Sequence, residues 1–169
     1  MNRKIFFILS FLFLTIGAFA QDATDFARSA EAKYKAQEYP EAIDLYTQAI
    51  AIDSSQKNFF TRRGFFYTLM KDFKAAKADY TQVIKLDDQD KFAYLSRGGA
   101  LNKLEDYTNA IRDFNKVIIL DPKNWEAYNN RGIAKKMLGD QAGACKDWKM
   151  SKKLGNPEAK RILDNNYCK

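Results

Sequence analysis

The stretch KFAYLSRGGALNKLEDYTNAIRDFNKVIILDPKN, residues 91–124, decides the fold once it is laid on its neighbours. With Ala23, Lys57, Lys91 and Trp125 as first positions, the chain repeats with a period of 34 residues. Position 4 is then Phe26, Phe60, Tyr94 and Tyr128, aromatic each time. Position 8 is Ala30, Gly64, Gly98 and Gly132, and position 20 is Ala42, Ala76, Ala110 and Ala144. Position 24 is Tyr46, Tyr80, Phe114 and Trp148, and position 30 is Ile52, Leu86, Leu120 and Leu154. Small residues at 8 and 20 let two helices approach closely, and the aromatics at 4 and 24 fill the space beside that contact. Each unit therefore reads as a helical hairpin. Its inner turn carries Lys71-Asp72, Glu105-Asp106 or Gly139-Asp140, and Pro40 suits the first turn of a second helix. A second break carries Asp53-Ser54-Ser55, Asp87-Asp88, Asp121-Pro122 and Gly155-Asn156-Pro157. No hairpin can bury its apolar face alone, so the units must stack.

Four units follow, 23–56, 57–90, 91–124 and 125–158, in one domain spanning 21–169. The fourth has Gln141 where the others have Tyr39, Phe73 or Tyr107, and Ser151 where they have Ala49, Val83 or Val117. That substitution pattern predicts a terminal unit with a less apolar outer side. Beyond it, Ala159, Ile162 and Leu163 recur at helical spacing and predict a capping helix over 159–168. Before the first unit, the basic MNRK, an apolar run from Ile5 to Ala20 and the small-x-small Ala18-Phe19-Ala20 read as a secretory signal peptide over 1–20. The run is shorter than the ~20 residues of a spanning helix. No Cys follows it, which closes the lipoprotein route, and the mature chain is expected to begin at Gln21.

This pattern resembles the tetratricopeptide repeat family, whose helix-turn-helix units carry aromatic, small, alanine and aromatic residues at these positions. The resemblance implies an all-α fold: a right-handed superhelical solenoid whose first helices line a concave groove for peptides or proteins. In that family positions 2, 5, 9, 12 and 13 of the first helix face the groove. Carried onto this chain, they place Tyr34, Phe65, Leu69, Phe92, Leu95, Asn102, Asn129 and Ile133 there. Family members that hold the C-terminal carboxylates of heat-shock chaperones carry Lys at 5 and Asn at 9 of one unit. This chain lacks that pair, so an apolar segment or a partner helix around Phe65, Leu69, Phe92 and Leu95 is the expected occupant.

Two further features follow from the repeat itself. Position 7 is Arg63, Arg97 and Arg131 in units two to four, and position 23 is Asp79, Asp113 and Asp147; unit one has Ser29 and Leu45, losing both together. Both positions lie equally far from the inner turn, which predicts three partly buried structural pairs, of little net worth but costly to break singly. Cys145, at position 21, and Cys168 are the two cysteines, and the midpoint between them falls in the turn at Asn156-Pro157. Two antiparallel helices joined there bring the cysteines to one height, within the ~5.5 Å Cα separation of a disulfide. Export would supply the oxidising compartment. The bond closes a loop that the chain-entropy treatment values at about 3 kcal/mol.

The chain has no histidine, which removes the commonest general base and metal ligand together. Gly98-Gly99 lies inside a helix rather than in a phosphate loop, and Asp87-Asp88-Gln89-Asp90 lacks the Gly and terminal Glu of a calcium loop. No catalytic residue, metal or cofactor is expected. Formal charge is uneven: residues 123–169 hold 11 Lys+Arg against 5 Asp+Glu, while residues 21–122 hold 15 against 16. The basic end would favour anionic envelope components or an acidic partner rather than nucleic acid, with membrane contact through a partner or through weak attraction. The expected function is a non-enzymatic protein-interaction module, monomeric and exported to the periplasm or beyond, binding a peptide or protein in its groove. A structural subunit docked permanently in an envelope assembly by its stack edges is the alternative. A thiol oxidoreductase is a weaker third, resting on the two cysteines alone.

Overall fold

The computed structural model describes residues 22–164 and 168; the expected signal peptide and residues 165–167 of the expected cap lie outside them. Among the described residues the chain forms helices and no strand. They are α1 (Ala23–Lys35), α2 (Tyr39–Ile52), α3 (Lys57–Leu69), α4 (Phe73–Leu86), α5 (Lys91–Lys103), α6 (Tyr107–Leu120), α7 (Trp125–Met137), α8 (Gln141–Lys153) and α9 (Pro157–Asp164). Each packs mainly on its neighbours in the chain, and α5 also touches α7. This is the contact pattern of an all-α solenoid.

The repeat writes its own punctuation. Residue 15 of every unit takes a left-handed conformation: Gln37, Lys71, Glu105 and Gly139, with φ between 61° and 84°. One left-handed residue after the first helix turns the chain, and the N-cap that follows starts the second. Asp72, Asp106 and Asp140 each accept a backbone N–H three residues on, whereas Glu38 caps without its side chain and is followed by Tyr39 and Pro40. Between units a different turn recurs: Asp53, Asp87 and Asp121 accept the N–H two residues on, at 2.9 to 3.2 Å. Unit four departs from it. Gly155, at φ 99°, and Asn156, whose Oδ1 accepts the Glu158 N–H, bend α8 into α9 in the manner of an inner turn. The cap thus begins at Pro157 rather than 159, because Pro suits the first helical position after that bend.

The core is a series of clusters strung along the stack rather than one centre. The four alanines at position 20 are completely buried. The glycines at position 8 face the position-24 rings so closely that an added Cβ would stand 3.2 Å from Tyr80 at Gly64, 2.7 Å from Phe114 at Gly98 and 2.7 Å from Trp148 at Gly132.

Of the two residues behind the expected less apolar outer side, Gln141 is exposed but Ser151 is not. It is fully buried, donates to the Trp125 carbonyl at 2.8 Å and accepts from Asn156 Nδ2 at 2.9 Å. The segment leading into α9 covers it, and its hydroxyl has work to do there. Cys145 and Cys168 are disulfide-bonded with Cα atoms 5.6 Å apart, against Ala144, Trp148, Ala159, Ile162 and Leu163.

Candidate functional site

The three position-7 arginines tie the stack together in three ways. Arg63, Arg97 and Arg131 each grip the position-23 aspartate of their own hairpin through two nitrogens, at 2.7–2.8, 2.7–2.8 and 2.5–2.8 Å. Each sits over the position-4 ring: Phe60 at 5.8 Å, Tyr94 at 5.6 Å and Tyr128 at 5.4 Å. Each also donates from Nη1 to position 25 of the preceding unit, to Thr47 Oγ1 at 2.9 Å, Thr81 Oγ1 at 3.3 Å and Asn115 Oδ1 at 2.6 Å. Among the described residues no unit precedes unit one, and there Ser29 and Leu45 stand in place of the pair. The aspartates are buried and bidentate, so these are structural groups. Asp147 takes a second cation, Lys135, at 2.9 Å.

At the first unit another cluster closes the surface. Arg62 holds Glu31 through two hydrogen bonds, one at 2.6 Å, and lies over the rings of Tyr34, Phe65 and Phe66 at 5.2, 5.6 and 5.2 Å. Tyr46 donates to the same carboxylate at 2.6 Å. Burial alone would raise the Glu31 carboxyl, but the hydrogen bonds from Arg62 and Tyr46 bring it below the usual carboxylate range. Burial first, and then the hydrogen bond to Glu31, push the Tyr46 hydroxyl well above its ordinary range.

Between these anchors the first helices of units two to four leave a groove of about 610 Å³. Of the expected residues, Phe65, Phe92, Leu95, Asn102 and Ile133 line it. Phe92 is half exposed, with its ring edge-on to Tyr80 at 6.4 Å. Three expected residues do not line it. Tyr34 is stacked on Phe66 at 5.2 Å beneath Arg62, so its face is already spent within the protein. Leu69 is exposed but stands beyond the cavity. Asn129 is 4% exposed, with its Oδ1 buried and lacking a hydrogen-bond partner, which removes it from the accessible surface.

The groove also has walls that the first-helix positions do not supply. Phe73 and Tyr107, both at position 17, and Tyr80, at position 24, come from the second helices. Position 17 had a visible signal: it is aromatic in three units and Gln141 in the fourth. Ser96, Asn102 and Asn130 add polar points, and Asn102 Nδ2 donates to the Asn130 carbonyl across the α5–α7 seam at 3.1 Å. Charge is sparse, with Lys103 and Glu126 the charged side chains of the lining. Such a surface offers rings and aliphatic carbon to a partner and a few hydrogen bonds for register.

The acidic turn at Asp87-Asp88-Gln89-Asp90 is occupied by a lysine: Lys57 Nζ reaches Asp87 at 2.6 Å and Asp90 at 2.9 Å. Among the described residues no group of three or more His, Cys, Asp or Glu could hold a metal ion. No helix of the described residues is long and apolar enough to cross a membrane.

Comparison with known proteins agrees with this architecture. A family model described as tetratricopeptide repeat matches residues 58–90, and a second, described as TPR repeat, matches residues 98–139. No curated protein matches the chain in sequence. Among solved structures, the first TPR of Spaghetti (RPAP3) bound to the HSP90 peptide SRMEEVD is 29% identical at a TM-score of 0.66, over 70% of this chain and 94% of that one. The Arabidopsis OM64 TPR domain is 26% identical at 0.62, over 68% and 94%. The MamA crystal structure is 19% identical at 0.77, over 85% and 84%, a likeness of fold alone. The chain is an all-helical solenoid of stacked helix-turn-helix units, similar to the tetratricopeptide repeat over residues 58–90 and 98–139.

Proposed function

We propose that this chain is a non-enzymatic protein-interaction module that seats an apolar segment of a partner protein or peptide in the groove of α3, α5 and α7. The observation that carries this reading is the continuity of the apolar lining from Phe65 and Phe73 through Tyr80, Phe92 and Leu95 to Ile133 and Met137. Solvent-facing rings and aliphatic side chains gathered in a concavity mark an interaction site. The Spaghetti domain, 29% identical, is bound to a peptide, which supports a peptide or protein as the occupant. An aliphatic or aromatic anchor fits this lining better than a run of carboxylates, because Lys103 is the one cation in it.

Export of the mature chain from Gln21 is part of the proposal. It is supported by the leader pattern at 1–20 and by a disulfide of the kind that persists in oxidising compartments. The experiment is site-specific photocrosslinking in the native host with the reactive group at Leu95 or, as a control on the opposite side, at Lys116. Adducts at Leu95 that map to one segment of one protein support the groove. Adducts confined to Lys116 would favour a subunit docked by its outer faces.

A further inference from the structure

The outward stripe of each second helix comprises positions 22, 25, 26 and 29, and its formal charge climbs along the stack. In unit one it reads Asp44, Thr47, Gln48 and Ala51, one negative charge. In unit two Lys85 makes it positive, and in unit three Arg112 and Lys116 bring two positive charges. Unit four has Lys146, Lys149, Met150 and Lys153, three cations and no anion. All four are exposed, Met150 by 37%. Lys160 of α9 is exposed at the same end, while Arg161 lies 4.0 Å from Glu158.

Position 25 explains why the stripe can change character here. In units one to three it must be Thr or Asn, because the next unit's arginine donates to it. After unit four no further repeat follows in the described chain, that duty lapses, and the position is Lys149. The lone buried acid of the helix, Asp147, is neutralised from inside by Arg131 and Lys135 and does not offset the stripe.

We infer that the outer face of α8 docks on an anionic lipid bilayer, with Lys146, Lys149 and Lys153 over the headgroups and Met150 between them at the acyl boundary. A protein partner suits this face less well. Protein interfaces are depleted of lysine and draw their energy from arginine and aromatic rings. This face has three flexible point charges, no arginine and no ring, and Trp148 of the same helix is turned inward and buried. Laterally mobile phosphates can gather under such charges without a fixed geometry, and a thioether among them adds apolar contact. The groove is lined by residues of α3 to α7 and by none of α8, so a chain held by α8 keeps it open to solvent. The inference does not depend on what the groove binds.

The test is flotation of the chain from Gln21, which carries every described helix and its core, with phosphatidylcholine vesicles containing or lacking one third phosphatidylglycerol. Binding is expected to the anionic vesicles alone and to weaken as salt is raised. The triple variant Lys146→Glu, Lys149→Glu, Lys153→Glu should bind about a hundredfold more weakly, at roughly fivefold per lysine near the surface. A control with the same charge change elsewhere, Lys35→Glu, Lys74→Glu, Lys77→Glu, should keep most of the binding. Equal loss in both triples would reduce the effect to bulk charge and overturn the inference. So would equal binding to pure phosphatidylcholine, or capture by polyglutamate with the same lysine dependence and no binding to anionic vesicles, which would make the partner an acidic protein. Unchanged far-ultraviolet dichroism confirms that both triples remain folded, since all six side chains are exposed.

Discussion

Gly98 and Gly99 are adjacent in α5, and replacing each by alanine should have opposite effects. Both substitutions gain the same helix propensity, about 1 kcal/mol. At Gly99 the new methyl would meet nothing within 4 Å, so the gain survives and the protein becomes more stable by about 1 kcal/mol. At Gly98 the methyl would stand 2.7, 2.9 and 3.1 Å from three carbons of the Phe114 ring. That ring is completely buried and cannot swing aside as an exposed side chain would. Overpacking of this kind costs about 1–3 kcal/mol, which cancels or exceeds the propensity gain. The two variants should therefore differ by about 2 kcal/mol, or roughly 4–8 °C in Tm for a chain of this size. Gly64→Ala supplies a calibration point. Its methyl would stand 3.2 Å from Tyr80, and unit one already places Ala30 opposite Tyr46 with both buried. The expected order of stability is Gly99→Ala, then Gly64→Ala, then Gly98→Ala, read by urea unfolding followed by dichroism. If Gly98→Ala equals or exceeds Gly99→Ala, the close approach at position 8 does not set the hairpin spacing and the packing account fails.

Arg97→Met should destabilise by about 3 kcal/mol because it strands the buried Asp113, while adding Asp113→Leu should recover much of that loss; a double variant no better than the single would refute a structural pair. Reducing the Cys145–Cys168 bond, or replacing both by serine, should lower stability by about 3 kcal/mol in the chain-entropy account. Hydrogen exchange should then accelerate first in α9, and uniform acceleration along the chain would count against a cap. Acid should weaken the stack: the folded pKa values of Glu31, Asp87 and Asp121 are lowered, so their contribution is present above about pH 4 and is lost as pH falls further. Urea midpoints between pH 7 and 3 measure this, and Glu31→Gln should flatten part of the slope; a midpoint constant to pH 3 would contradict it.

The hairpins were legible because a solenoid repeats its constraints. A small residue opposite a ring is required in every unit, so position 8 against position 24 stands out in one chain without relatives. The Arg–Asp pairs were legible for the same reason, since unit one loses both members together. Their link to Thr47, Thr81 and Asn115 was not, because that contact depends on how one unit is rotated against the next, which a single unit's pattern does not encode. Asn129 shows the same limit. Its position faces the groove in the repeat frame, but the stacked units leave it buried, which one hairpin's pattern does not encode. Tyr34 was misplaced for a chemical reason: Arg62, at a position that is Ser96 and Asn130 in the next units, covers it and binds Glu31. Phe73 and Tyr107 were visible as recurrent aromatics, yet nothing in one hairpin shows that position 17 rims the groove formed by its neighbours. Ser151 looked like surface because it is polar, and is core because Trp125 and Asn156 satisfy its hydroxyl.

The central claim is that the concave face does the binding, and one measurement tests it most directly. Once crosslinking has identified a partner segment, its synthetic peptide is titrated by calorimetry against the wild-type chain and against Phe92→Ala, chosen because Phe92 is exposed and its loss should not unfold the stack. The account predicts that Phe92→Ala weakens binding at least about tenfold, as truncating a central aromatic anchor does, with Tm unchanged. Equal affinity for both chains, with the protein folded, would contradict it and move the working surface off the groove.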